Sequence, residues 1–170
     1  MTRLPKVLTS TAQIRFQHCD PFNHLNNSRF IDYFMNHRED VLIEHYDLDI
    51  FNITQTTGKS WMSRSNQIAY LRPARIMEDV FIESQLIAYD EHHLYVEMRM
   101  YDENQSHIKS LLWSSFIHVD IQKNTKFRHE TEYMDLFESV VLPVSEKKFE
   151  DRMKMLIKTT KENYTSRTAV

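Results

Sequence analysis

Between residues 64 and 120 the chain carries four strand-length apolar segments in succession, and this run constrains the fold more than any other feature. They are RSNQIAYL (64–71), stopped by Pro73, then VFIESQLIAY (80–89), LYVEMRMY (94–101) and HIKSLLWSSFIHVD (107–120). The third has the clearest period of two. Leu94, Val96, Met98 and Met100 fall on one face, and Tyr95, Glu97, Arg99 and Tyr101 on the other. Residues 90–93 and 102–106 are connections of hairpin length, so the simplest arrangement is an antiparallel meander.

What precedes and follows the run completes the class. TAQIRFQH (11–18) alternates Ile14 and Phe16 with polar neighbours and reads as a short strand with one buried face. From Ser28 to about Tyr46 the residues Phe30, Ile31, Phe34, Met35, Val41, Leu42 and Tyr46 form a helical stripe, broken around Arg38. At 1.5 Å per residue that helix is roughly 28 Å long. Residues 47–63 read as a loop with room for a short helix, and they hold Gly58, the one glycine of the chain. Turns elsewhere must rely on Asn, Asp and Pro. After residue 120, EYMDLFESVVLP and SEKKFEDRMKMLIK read as helices, the second with Ser145 as its N-cap and Phe149, Met153, Leu156 and Ile157 as its apolar face. The polar KTTKENYTSRTAV is expected to fray. One strand, one long helix and several antiparallel strands make an α+β domain with the helix packed on the sheet. The 170 residues fit a single domain, with a core at about 10–120 and a helical extension at about 127–160.

Composition removes several classes of function. A net charge of −3 gives no reason to expect nucleic acid as a partner. The first 20 residues hold no uninterrupted apolar segment that would read as a signal peptide, and no apolar run approaches a membrane span. The lone Cys19 excludes an intrachain disulfide and fits a reducing cytoplasm, the expected location. No H-E-x-x-H or equivalent occurs, so neither a catalytic metal nor another cofactor is expected, although His18 and His24 lie near further candidate ligands.

The stretch HCDPFNHLNN (18–27) stands immediately before the long helix. It admits two readings. In one, Asn26 or Asn27 caps the helix, Pro21 shapes a turn and the rest is solvated loop. In the other, the free N–H groups and positive dipole of the first helical turn face a carbonyl oxygen and stabilise developing charge, with Asp20 beside them as nucleophile or general base. Cys19, with His18 or His24 as its base, is a further candidate nucleophile, although a thiol at a strand end more often points into the core. Arg72 and Arg75 flank a Pro-Ala turn, where they either meet phosphate or remain solvated.

The pattern R-F-x-H-C-D-P-x-x-H-L-N-N-x-x-F (15–30), followed by a core helix, resembles the signature of hotdog-fold acyl-CoA thioesterases, more narrowly the 4-hydroxybenzoyl-CoA thioesterase-like group. YLRPARIMEDVFIES is similar to the next landmark of that family, and the likeness spans about residues 10–120. It implies a long central helix wrapped by an antiparallel sheet, a homodimer or homotetramer, and an acyl-CoA or acyl carrier protein (ACP) thioester as substrate. Asp20 matches the catalytic carboxylate, and the Asn27 amide matches the group that polarises the thioester carbonyl. His24 matches the motif histidine, and Asn26, Asn23 and Arg72 become candidates for shaping or holding the substrate. Asn23 stands where the family usually has glycine; asparagine is the best substitute if that position needs a positive φ. His18 replaces a commonly acidic position, and Glu91, His92 and His93 replace basic residues that hold CoA phosphates in some members. The expected activity is hydrolysis of an acyl thioester to acid and thiol. A non-catalytic acyl-thioester binder and a dehydratase of the same fold are the alternatives, the latter usually marked by a glycine-containing helix motif that this chain lacks.

Overall fold

The alternation at 94–101 forms the centre of a six-stranded antiparallel sheet. The computed structural model describes residues 4–168. Its strands are β1 (Val7–Gln13), β2 (Lys59–Tyr70), β3 (Asp79–Tyr89), β4 (His93–Asp102), β5 (Ile108–Asp120) and the two-residue β6 (Thr125–Lys126). The order is β1-β3-β4-β5-β2, with β6 paired to the end of β5. Only β3, β4 and β5 form the expected meander. The segment read at 64–71 does not lie beside β3, because β1 occupies that edge, with Ala12 opposite Val80. β2 crosses instead to the free edge of β5, in a register that sets Tyr70 against Ser110 and Lys59 against Asp120.

The long helix α1 (Phe30–Tyr46) covers one face. Leu94, Val96, Met98 and Met100 of β4 are buried there with Phe30, Phe34, Val41 and Leu42. Arg38 breaks the apolar stripe without leaving the core. Its guanidinium lies 4.7 Å from the centre of the Phe116 ring, and burial lowers its pKa to about 10. The loop expected at 47–63 contains α2 (Ile50–Thr57), which is capped by Asp49 Oδ1 accepting from Asn52 N–H at 2.8 Å and ended by Gly58 at φ 70°. The first strand ends sooner than expected. Phe16 falls in a 3-10 turn (Phe16–His18) and is exposed, while Ile14 is fully buried.

The opposite face of the sheet is covered as well. α4 (Phe149–Thr168) covers it, with Phe149 and Leu156 packed on Tyr101, Ile108 and Leu111, while α3 (Thr131–Val140), the other helix of the C-terminal extension, sets Phe137 into the core shared with α1. α4 begins at Phe149, so Ser145 is not its cap, and it stays helical through most of the segment expected to fray. A long helix wrapped by an antiparallel sheet, with a helical extension, is the hotdog arrangement that the resemblance implies.

Candidate active site

The motif loop is built by an aspartate turn. Asp20 Oδ1 accepts from the N–H groups of Phe22 (2.9 Å) and His24 (3.1 Å). The Asp20 N–H donates to the His24 carbonyl at 2.8 Å, and Asn23 N–H donates to the Asp20 carbonyl at 3.0 Å. Such self-bonding is what aspartate brings to a turn. Asn23 sits in the left-handed region at φ 61°, as expected of the residue that replaces glycine. The loop is then stitched to the turn after β2. Leu25 N–H donates to Ala74 O (2.7 Å), Ile76 N–H donates to Asn23 O (2.9 Å), and His24 and Arg75 form an isolated bridge.

Asn26, not Asn27, is the cap. In extended backbone at φ −60° and ψ 135°, its Oδ1 accepts from Ser28 N–H at 3.1 Å and from the Ser28 hydroxyl at 3.0 Å. A 3-10 turn (Asn27–Arg29) leads into α1. The Asn27 N–H, first in this turn, has no hydrogen-bond acceptor among the described residues. The Asn27 carbonyl accepts from the Tyr70 hydroxyl at 3.0 Å.

A cavity of about 220 Å³ opens here, lined by Asp20, His24, Asn27 and Arg72 together with Phe30 and Tyr70. Four of the six predicted residues therefore share one cavity. The other two do not line it: Asn26 is spent on capping, and Asn23 on turning the chain behind Asp20. The remaining candidates fall outside as well. His18 Nδ1 lies 3.0 Å from the Tyr33 hydroxyl and faces a separate cavity between β1 and α1. The Cys19 thiol points to the Arg15 carbonyl at 3.4 Å, and burial together with the Asp20 charge pushes its pKa up, away from a reactive thiolate. Arg75 is exposed, its N–H bonded to Glu78 Oε2 at 2.7 Å. Among the described residues no three His, Cys, Asp or Glu side chains come together as metal ligands. Tyr70 escaped the sequence reading, because nothing in the spacing of 43 residues links it to Asn27.

Asp20, a carboxylate, and Asn27, with its free helix-terminal N–H, line one small cavity, and these are the groups needed to bind a polarised carbonyl and activate a nucleophile against it. No helix among the described residues is long and apolar enough to cross a membrane. No curated protein matches the sequence significantly. Among solved structures, a probable thioesterase from Escherichia coli superposes with a TM-score of 0.67 at 21% identity, over 79% of this chain and 99% of that one. A 1,4-dihydroxy-2-naphthoyl-CoA thioesterase from Synechocystis gives 0.69 at 11% identity, over 75% and 93%. A hypothetical protein from Staphylococcus aureus, solved in complex with CoA, gives 0.73 at 10% identity, over 87% and 94%. At such identities the likeness is one of fold. The sequence itself matches the model of the thioesterase-like superfamily over residues 14–147, well beyond half of its length, so the chain belongs to that superfamily of hotdog-fold thioester hydrolases.

Proposed function

We propose that the chain hydrolyses an acyl-CoA to the free acid and CoA thiol, with Asp20 as general base and the Asn27 N–H as the oxyanion donor. The observation that carries this reading is that Asp20 and Asn27 line one cavity at the start of the core helix while the Asn27 N–H has no acceptor among the described residues. With Oδ1 of Asp20 held by two backbone N–H groups, Oδ2 is left to take a proton from water. The resulting hydroxide adds to the thioester carbonyl, and the Asn27 N–H receives the oxyanion. Collapse of the tetrahedral adduct breaks the C–S bond, and the departing thiolate takes up the proton. His24 walls the cavity beside the carboxylate. The exposed guanidinium of Arg72 forms no ion pair among the described residues and is available to a phosphate of the carrier.

A CoA complex in a protein of the same fold favours CoA over acyl carrier protein as the carrier. The homo-oligomer that the resemblance implies has a free edge to form through. Among the described residues β2 pairs only with β5, and its residues 62–67 are exposed. The test is thiol release from short, long and aromatic acyl-CoAs, with Asp20→Asn run alongside. The reading stands if the wild type turns over and the variant loses at least about a hundredfold, roughly 2.7 kcal/mol of barrier. It falls if Asp20→Asn keeps wild-type rates, or if no acyl-CoA or acyl carrier protein substrate releases thiol.

A further inference from the structure

The geometry points to Tyr70 as a positioning residue that holds the first peptide of the 3-10 turn leading into α1 in place from the edge strand of the sheet, an inference that rests on the proposed role of the Asn27 amide. Tyr70 ends β2, where its backbone is fixed opposite Ser110, whose hydroxyl donates to the Ala69 carbonyl at 2.9 Å. The next two N–H groups, of Leu71 and Arg72, both donate to the Lys109 carbonyl at 2.8 and 3.1 Å. The tyrosine therefore projects from backbone that is held on both sides. Its ring meets Phe30 edge-on, at 5.2 Å between centres and 66° between planes, and its hydroxyl donates to the Asn27 carbonyl at 3.0 Å.

That carbonyl belongs to the peptide joining Asn27 to Ser28. The other end of the same peptide, the Ser28 N–H, donates to Asn26 Oδ1. The preceding peptide is held at its carbonyl, where Asn26 O accepts from Arg29 N–H at 2.8 Å. Both peptide planes around Asn27 are thus fixed, and the Asn27 N–H is the group left unbonded. Two of these three ties are local to residues 26–29. The third comes from Tyr70, 43 residues away, and of the three it alone references the turn to the sheet. An oxyanion donor works through a fixed direction, because reorganisation at the moment of reaction forfeits its advantage. Loss of the Tyr70 hydroxyl leaves the amide present, on a turn tied only to its own residues and no longer referenced to the sheet.

Tyr70→Phe removes the hydroxyl and keeps the ring on Phe30. Two measurements test it. Hydrogen exchange at the Ser28 amide is expected to quicken at least about fivefold while the melting temperature holds, and kcat on the best acyl-CoA is expected to fall about tenfold, with KM changed less than twofold. Unchanged exchange at Ser28 overturns the inference, and so does quickened exchange with wild-type kcat. Exchange needs no substrate, so it separates this inference from the thioesterase reading. Should the wild type and Asp20→Asn be equally inert toward every thioester, that reading fails and takes the catalytic half of this inference with it, whatever Ser28 does.

Discussion

Arg152 of α4 grips Glu97 of β4 with both arms of its guanidinium, Nη2 to Oε1 at 2.7 Å and Nε to Oε2 at 2.9 Å. Glu97 is completely buried; Arg99 (2.8 Å) and the Trp113 indole N–H (2.8 Å) complete its shell. This cluster lies beneath the C-terminal helix, on the face of the sheet away from α1. Breaking a buried pair strands a charge, which costs about 3–5 kcal/mol. Arg99 remains as a partner for Glu97, so Arg152→Met is expected at the low end, about 3 kcal/mol. In a chain of this size that lowers the melting temperature by roughly 6–12 °C. Thermal denaturation at neutral pH checks it, and a shift below about 2 °C would show that α4 is not anchored through Glu97.

Two histidines behind α3 predict an acid-sensitive fold. His118 and His129 are buried and stacked 5.0 Å apart beside Trp61. Burial lowers both pKa values, that of His129 to about 4. Lys59 and His92 reinforce the depression at His118, while Glu130 opposes it there and Asp90 opposes it at His129. A histidine with a depressed folded pKa binds more protons when unfolded. Its contribution is therefore intact above the unfolded value near 6.5 and is lost as pH falls from there toward 4. His129→Phe should flatten the stability profile between pH 7.5 and 4.5 by about 2 kcal/mol, read as the difference in urea midpoints scaled by the m-value. Equal pH dependence in the two proteins would remove His129 as a cause.

Asn23 offers a backbone prediction. At φ 61° it occupies the conformation that glycine takes freely and that a β-carbon disfavours by roughly 1–2 kcal/mol, asparagine being the mildest case. Asn23→Gly should keep stability and thiol release within about twofold of wild type. Asn23→Ala should cost about 1 kcal/mol and slow release, because the same turn holds Asp20. If alanine is as good as glycine in both readouts, Asp20 is placed by something other than this turn.

The sequence showed this position because a departure from glycine in a turn carries a backbone meaning that one residue can express. The strands were legible for a similar reason: alternation at 94–101 is local. The partner of β2 was not legible, since which edge a strand takes depends on where β1 lies, 50 residues away. The alternation puts Glu97, Arg99 and Tyr101 on the second face of β4 without saying what covers it; α4 buries them, and pairing makes that burial tolerable. At the site, Asp20, His24 and Asn27 were readable from one contiguous loop, and Arg72 from its Pro-Ala landmark. Asn26 and Asn23 have polar side chains that serve the loop's own backbone, a division of labour that residue type alone does not reveal.

The proposed oxyanion donor can be removed without touching the helix it starts. Asn27 follows the cap directly and is the first helical position, where the backbone N–H has no intrahelical acceptor and proline is well tolerated. Proline also demands extended backbone in the residue before it, and Asn26 already has φ −60° and ψ 135°. Asn27→Pro therefore deletes that N–H, and the Asn27 carboxamide with it, while keeping the cap, the turn and the approach into α1; Asn27→Ala, which loses only the carboxamide, is the control. Loss of one oxyanion donor costs about 10²–10³ in kcat where such groups have been removed. The expected result is a fall of that size in kcat on the best acyl-CoA, with helical circular dichroism and melting temperature close to wild type. A folded Asn27→Pro that turns over at wild-type kcat would mean that the thioester carbonyl is polarised elsewhere, and the helix start would revert to a purely structural role.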